Sequence, residues 1–157
     1  MDTSSMAAHI NWLAILVAAL AGFAVGGVWY GPLFSKAWIR ESGVNLEKAR
    51  SINKPKLFGT VFVLNLIAAF SLAMFIGENA TWRFGLFAGF MAGLTFVSTA
   101  LAVIYLFEAR SLRLWLINAG YQVVIFSVMG VILGAWSAGT TQVQTQAQGV
   151  INLGKIH

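Results

Sequence analysis

Leu57–Ile76 reads LFGTVFVLNLIAAFSLAMFI, twenty residues without a charge and with a single amide, Asn65. A hydrocarbon core of about 30 Å is crossed by about 20 apolar residues of helix, so this run predicts a membrane span. Three further runs repeat the pattern on either side of it: Ile10–Phe34, Phe84–Phe107 and Leu114–Trp136. Backbone groups in lipid must bond within their own segment, which leaves the helix as the structure for runs of this length. The expected fold is therefore all-α: an antiparallel bundle of four transmembrane helices over residues 1–137, followed by a polar C-terminal tail, 138–157.

Composition agrees. The 157 residues are 59% hydrophobic and only 10% charged, against about 25% charged in a typical soluble domain, and mean hydropathy is +0.79. A chain of this length leaves no room for a separate soluble catalytic module. Cysteine is absent, which removes disulfides, thiol nucleophiles and thiolate metal sites. The two histidines, His9 and His157, lie outside the helix centres. No metal or cofactor site is expected, and no enzyme. Met1–His9 carries Asp2 and no Lys or Arg, unlike a basic signal n-region, so the first span reads as retained.

Charge sets the expected topology. Lys36, Arg40, Lys48, Arg50, Lys54 and Lys56 lie between spans 1 and 2, and Arg110 and Arg113 between spans 3 and 4. The other side carries only Arg83 and Lys155. Counting Lys and Arg in short loops places both basic loops in the cytoplasm and both termini outside, in a cell inner membrane. The basic pI then reflects anionic lipid headgroups at the 35–56 loop, each basic residue contributing about 1 kcal/mol, and not nucleic acid. Glu78 and Glu108, at span ends, are read as interfacial ion-pair partners of Arg83 and of Arg110 with Arg113.

The connections are short between spans 2 and 3 (Gly77–Arg83) and between spans 3 and 4 (Glu108–Leu112). Gly77 reads as a C-cap, and Asn79 or Thr81 as the next N-cap. In the longer Ser35–Lys56 connection, Asn45–Arg50 reads as a short capped helix and Pro55 as a break before span 2. Thr140–Gln146 is polar, uncharged and without helical periodicity, so Gly139–His157 is read as a flexible external tail, with docking on a partner as the alternative.

Small residues recur at four-residue spacing. Gly22 and Gly26 in span 1, Gly85, Gly89 and Gly93 in span 3, and Gly130 and Gly134 in span 4 are the expected helix-packing positions. Apolar tails gain nothing by leaving lipid, so close backbone approach across small residues supplies the cohesion. Polar residues within the spans carry the candidate site. Asn65, Asn118, Tyr121 and Gln122 would line a small polar cavity, Asn118 and Gln122 projecting from one helix face. The same groups also suit interhelical hydrogen bonds, worth about 0.6 kcal/mol each. Trp29, Tyr30, Pro32, Lys36 and Trp38 read as an interfacial anchor, with Gly31-Pro32 ending or kinking span 1.

Two stretches carry a resemblance. Asn11-Trp12 followed by Gly26-Gly27-Val28-Trp29-Tyr30-Gly31-Pro32-Leu33-Phe34-Ser35-Lys36-Ala37-Trp38 is one. Leu116-Ile117-Asn118-Ala119-Gly120-Tyr121-Gln122, with Gly130 and Gly134-Ala135-Trp136 after it, is the other. Together they resemble the bacterial membrane family catalogued as domain of unknown function 1761, over roughly Ile10–Trp136. The resemblance implies a small four-span integral membrane protein and assigns no catalytic residue. Two functions remain open: a packing, assembly or accessory subunit associating with itself or another membrane complex, and a homo-oligomeric transporter or channel for a small solute or ion.

Overall fold

The computed structural model describes residues 11–77 and 80–154. The expectations placed on His9, Glu78, Asn79 and residues 155–157 fall outside them. Span 1 is α1 (Trp12–Val28), prolonged by a π-helical turn, Trp29–Leu33. The basic connection holds α2 (Ser35–Ser42) and α3 (Leu46–Ser51). Span 2 is α4 (Lys54–Ile76). Span 3 is α5 (Trp82–Met91), a π-helical segment (Ala92–Val97) and α6 (Ser98–Phe107). Span 4 opens α7 (Leu112–Gly154). Four helical stretches, Trp12–Leu33, Lys54–Ile76, Trp82–Phe107 and Leu112–Ser137, are long and apolar enough to cross a membrane, and no strand occurs among the described residues.

Local chemistry fixes the ends. The side chain of Asn11 accepts from the Ala14 N–H at 3.0 Å and caps α1. Asn53 does the same for Lys56 N–H at 3.0 Å, with Pro55 in the first turn of α4, where a missing donor leaves no bond unmade. Pro55 therefore begins span 2, and the break lies just ahead of it. Thr81 caps α5 through Phe84 N–H. Gly77 closes α4 at φ 76°, a conformation glycine adopts without steric cost. Ala109, in the turn between spans 3 and 4, holds φ 51° without that freedom.

Pro32 ends span 1 by widening it. Proline offers no N–H to the Val28 carbonyl, and the next register takes over: Phe34 N–H bonds the Trp29 carbonyl, five residues back, at 2.9 Å. The second π-helical segment needs no proline. It forms where Gly93 backs directly onto span 4, and both the N–H and the hydroxyl of Ser98 bond the Gly93 carbonyl.

Spans 1 and 4 form the centre of the bundle. Span 2 packs on both, while span 3 packs against span 4 and makes no comparable contact with span 1. Ala14, Ala18 and Ala19 of span 1, Ala69 and Leu72 of span 2, and Ile125, Met129 and Leu133 of span 4 make the core. A methyl group added to Gly22 would meet the Met129 side chain at 2.5 Å and Ile125 at 2.9 Å. The span 3–span 4 seam is tighter still. Gly85 and Gly130 face each other so closely that a methyl on either would overlap the other's carbonyl, and Gly89 stands likewise against the Phe126 carbonyl. A methyl on Gly134 would lie 2.5 Å from the Thr81 carbonyl, and one on Gly93 2.8 Å from Val123 Cα.

One expectation is corrected. Residues 138–154, read as a flexible tail, continue α7 as helix. No proline interrupts Leu112–Gly154, and Gln and Ala are good helix formers, so a helix already nucleated in span 4 propagates outward. The seven-residue window Thr140–Gln146 is too short to reveal a period.

Candidate functional site

The two stretches that carry the resemblance lie far apart in sequence and meet in the bundle. Trp29 lies across α7 with its indole over Gly120: a methyl there would touch the ring at 3.2 Å. The Trp29 indole N–H donates to the Ile117 carbonyl at 3.0 Å. Reciprocally, Tyr121 of α7 sits over Gly26 of α1, its hydroxyl 3.1 Å from where a methyl would stand. Each helix thus offers a glycine to the other's aromatic ring. Around them Trp29 packs on Phe34 (centroids 4.7 Å apart), and Tyr30 meets Tyr121 (5.0 Å) and Trp38 (5.8 Å) edge-on.

A hydrogen-bond chain runs through this aromatic layer. The Tyr30 hydroxyl donates to Asn118 Oδ1 at 2.9 Å, and Asn118 Nδ2 donates to the Tyr105 hydroxyl at 2.7 Å. Tyr30 belongs to span 1 and Tyr105 to span 3, which do not pack on each other, so Asn118 is the amide that ties both to span 4. Beside it, the Trp115 indole N–H donates to the Ser98 carbonyl at 3.0 Å, just past the second π-helical segment. In hydrocarbon each of these groups needs a partner, and here a neighbouring helix supplies one.

Of the four expected cavity residues, Asn118 and Tyr121 therefore stand in one layer, and Gln122 reaches the seam through its main chain against Gly93. Asn65 is elsewhere. It is 9% exposed on the inner face of span 2, and its Nδ2 finds no hydrogen-bond partner among the described residues. Of the anchor residues, Trp29, Tyr30 and Trp38 belong to the aromatic layer, while Pro32 and Lys36 are exposed. Sequence reasoning missed Tyr105, and it named Gly120 only within a resemblance stretch. Tyr105 carries a signal, a polar tip two residues before the end of the span 3 apolar run, but nothing local marks Asn118 as its partner.

At this end of the bundle the two basic connections are clasped together. Ser111 caps α7 by accepting from Leu114 N–H, and its hydroxyl donates to Glu41 at 2.8 Å. Arg40 Nε lies 3.3 Å, and Arg113 3.8 Å, from the same carboxylate. The Ser111 hydrogen bond, followed by the Arg40 and Arg113 charges, holds the Glu41 carboxyl below its ordinary value. Arg110 donates to Glu108 at 3.0 Å and to the Ser42 carbonyl at 3.0 Å. Among the described residues no three His, Cys, Asp or Glu side chains converge as a metal site would require.

A family model described as a protein of unknown function (DUF1761) matches residues 13–134, which contain the whole aromatic layer. No curated protein matches the chain, and no solved structure does.

Proposed function

Because the chain belongs to the DUF1761 family of unknown function, its role has to be read from its own groups, and we propose that it is a non-enzymatic integral membrane subunit. It acts in packing, assembly or support, by associating with itself or with another membrane protein of a cell inner membrane. The observation that carries this reading is the Tyr30–Asn118–Tyr105 chain. The polar groups at the centre of the family-like stretches are engaged with one another across three helices, as groups that fix helix register are. Both basic loops face the cytoplasm among anionic headgroups, with the termini outside; neither nucleic acid nor a cofactor is involved. Cysteines placed at Ser51 and Gln146 should then be labelled from opposite sides of the membrane.

The deciding experiment is the native mass of the protein gently extracted from its own membranes, together with whatever accompanies it. Stoichiometric recovery with a second membrane protein supports the subunit reading, and a defined homo-oligomer with no other protein favours the carrier reading below. A monomer recovered alone opposes it.

A second reading, a homo-oligomeric carrier for a small solute or ion, is favoured by one observation: the unpartnered Asn65 amide in the inner part of span 2. A polar group left without a partner inside lipid is where a passing ligand would find a hydrogen bond. Solute uptake by reconstituted vesicles that disappears in Asn65→Leu would support this reading.

A further inference from the structure

A cleft of about 540 Å³ opens at the basic end between the C-terminus of α2 and the turn joining spans 3 and 4. Arg40, Glu41, Ser42 and Gly43 form one wall; Glu108, Ala109, Arg110 and Ser111 form the other. Arg113 stands beside it on Glu41. The lining itself balances two guanidiniums with two carboxylates, and Arg113, next to the lining on Glu41, adds a third guanidinium and one net positive charge at its edge.

The carboxylates orient the guanidiniums without exhausting them. A guanidinium carries five N–H donors. Arg40 engages only Nε, with Glu41, so both of its terminal nitrogens remain without a hydrogen-bond partner among the described residues. Arg113 meets the same carboxylate through one nitrogen at 3.8 Å. Arg110 is pinned at both Nε and one terminal nitrogen, to Glu108 and to the Ser42 carbonyl. Glu41 is itself held by Ser111 at the start of α7. Arg110 is thus held in place, while the outer N–H edges of Arg40 and Arg113 stand exposed with donors to spare, and a planar fork of such donors suits a phosphate.

The residues flanking the turn say what the phosphate is attached to. Leu106 (80% exposed) and Phe107 (91%) immediately precede the turn, and Leu112 (71%) immediately follows it. Large apolar side chains this bare belong against lipid tails, and in the chain they flank the turn that forms one wall of the charged cleft. A ligand that satisfies both surfaces carries a phosphate and acyl chains together.

We propose that this cleft is a phospholipid site, with the headgroup phosphate held by Arg40 and Arg113 and the acyl chains lying along Leu106, Phe107 and Leu112. The proposal rests on the reading that this end of the bundle lies among headgroups. It does not depend on what the protein assembles with, so the native-mass result can go either way without touching it.

The test uses the full chain in detergent, with lipid retention read by native mass spectrometry. The probes are dioleoyl phosphatidylglycerol and dioleoylglycerol, which share acyl chains and differ in the phosphate. Wild type should retain the phospholipid and not the diacylglycerol. Arg40→Gln with Arg113→Gln should weaken retention about tenfold or more, the factor that losing a charge-assisted hydrogen bond supplies. Lys54→Gln with Lys56→Gln removes the same charge from span 2 and should weaken it much less. Equal retention by wild type and the arginine pair, equal loss in both pairs, or equal retention of diacylglycerol would each overturn the proposal. If the arginine pair fails to fold, wild type alone decides: its Tm should rise with short-chain phosphatidylglycerol and stay put with sn-glycerol 3-phosphate. An equal rise with both would assign the cleft to a soluble phosphate and overturn the lipid assignment.

Discussion

The hydroxyl of Tyr30 donates to the side-chain carbonyl of Asn118 at 2.9 Å and so joins residues 88 positions apart. Asn118 passes the interaction on to Tyr105. One amide thereby links the widened end of span 1 to span 3, two helices with no substantial packing of their own. Its contribution is to register, because dispersion between apolar surfaces is nearly as good at one rotation of a helix as at another.

Tyr30→Phe removes a single bond and should lower stability by about 0.6–1.5 kcal/mol. Asn118→Leu should cost more, about 1–3 kcal/mol, because it strands two hydroxyls in an apolar layer. The double variant should then cost clearly less than the two singles added, since both delete the same bond. Thermal unfolding in detergent reads all three. Strict additivity would mean that the contact carries no energy.

The glycines divide by what stands opposite them. Gly130→Ala drives a methyl into the Gly85 carbonyl, which cannot rotate away, and should destabilise by about 1–3 kcal/mol or more. Gly27→Ala adds the same methyl on an exposed face with nothing within 4 Å and should be neutral or stabilising by about 0.4–1 kcal/mol. A similar Tm for both variants would mean that the span 3–span 4 seam is looser than the backbone approach indicates.

These contrasts mark what the sequence can and cannot disclose. Gly22, Gly85, Gly89 and Gly130 were legible because a four-residue period survives in the sequence alone. The spans were legible because uncharged length is a one-dimensional property. Tyr105 was not: its partner lies on another helix, and only the turn at Glu108–Ser111 brings the two into register. The helical continuation past Ser137 escaped for a different reason, since propagation from an existing helix asks less of a segment than nucleation does. Gly120 looks like one more small residue until the Trp29 ring is laid across it.

The clasp between the basic connections should titrate. The Glu41 carboxyl is lowered from 4.5 in the folded chain, chiefly by the Ser111 hydrogen bond and then by Arg40 and Arg113. A depressed folded value means that the contribution is complete above the unfolded value and fades as pH falls through the folded one. Wild type should therefore lose stability below about pH 4.5 more steeply than Glu41→Gln, which has no carboxylate to protonate. Parallel Tm-against-pH curves for the two proteins would show that the clasp contributes nothing.

Asn65 separates the two functional readings. Its amide donor is buried without a partner, and such a group costs about 1–3 kcal/mol relative to a satisfied or apolar one. Asn65→Leu replaces it with a side chain of similar size that asks for no hydrogen bond, so the variant should unfold at a Tm equal to or above that of wild type. A rise in Tm by itself says that span 2 tolerates an unsatisfied buried amide, and such a group persists where something other than stability maintains it. Pairing that measurement with vesicle uptake assigns the cause. Unchanged assembly mass with abolished uptake makes Asn65 a ligand contact and moves the protein to the carrier class. A loss of the assembled species, with the monomer still folded, makes the amide a contact to a neighbouring subunit. A fall in Tm would show instead that Asn65 is satisfied within the bundle, and the carrier reading would lose the one observation that favours it.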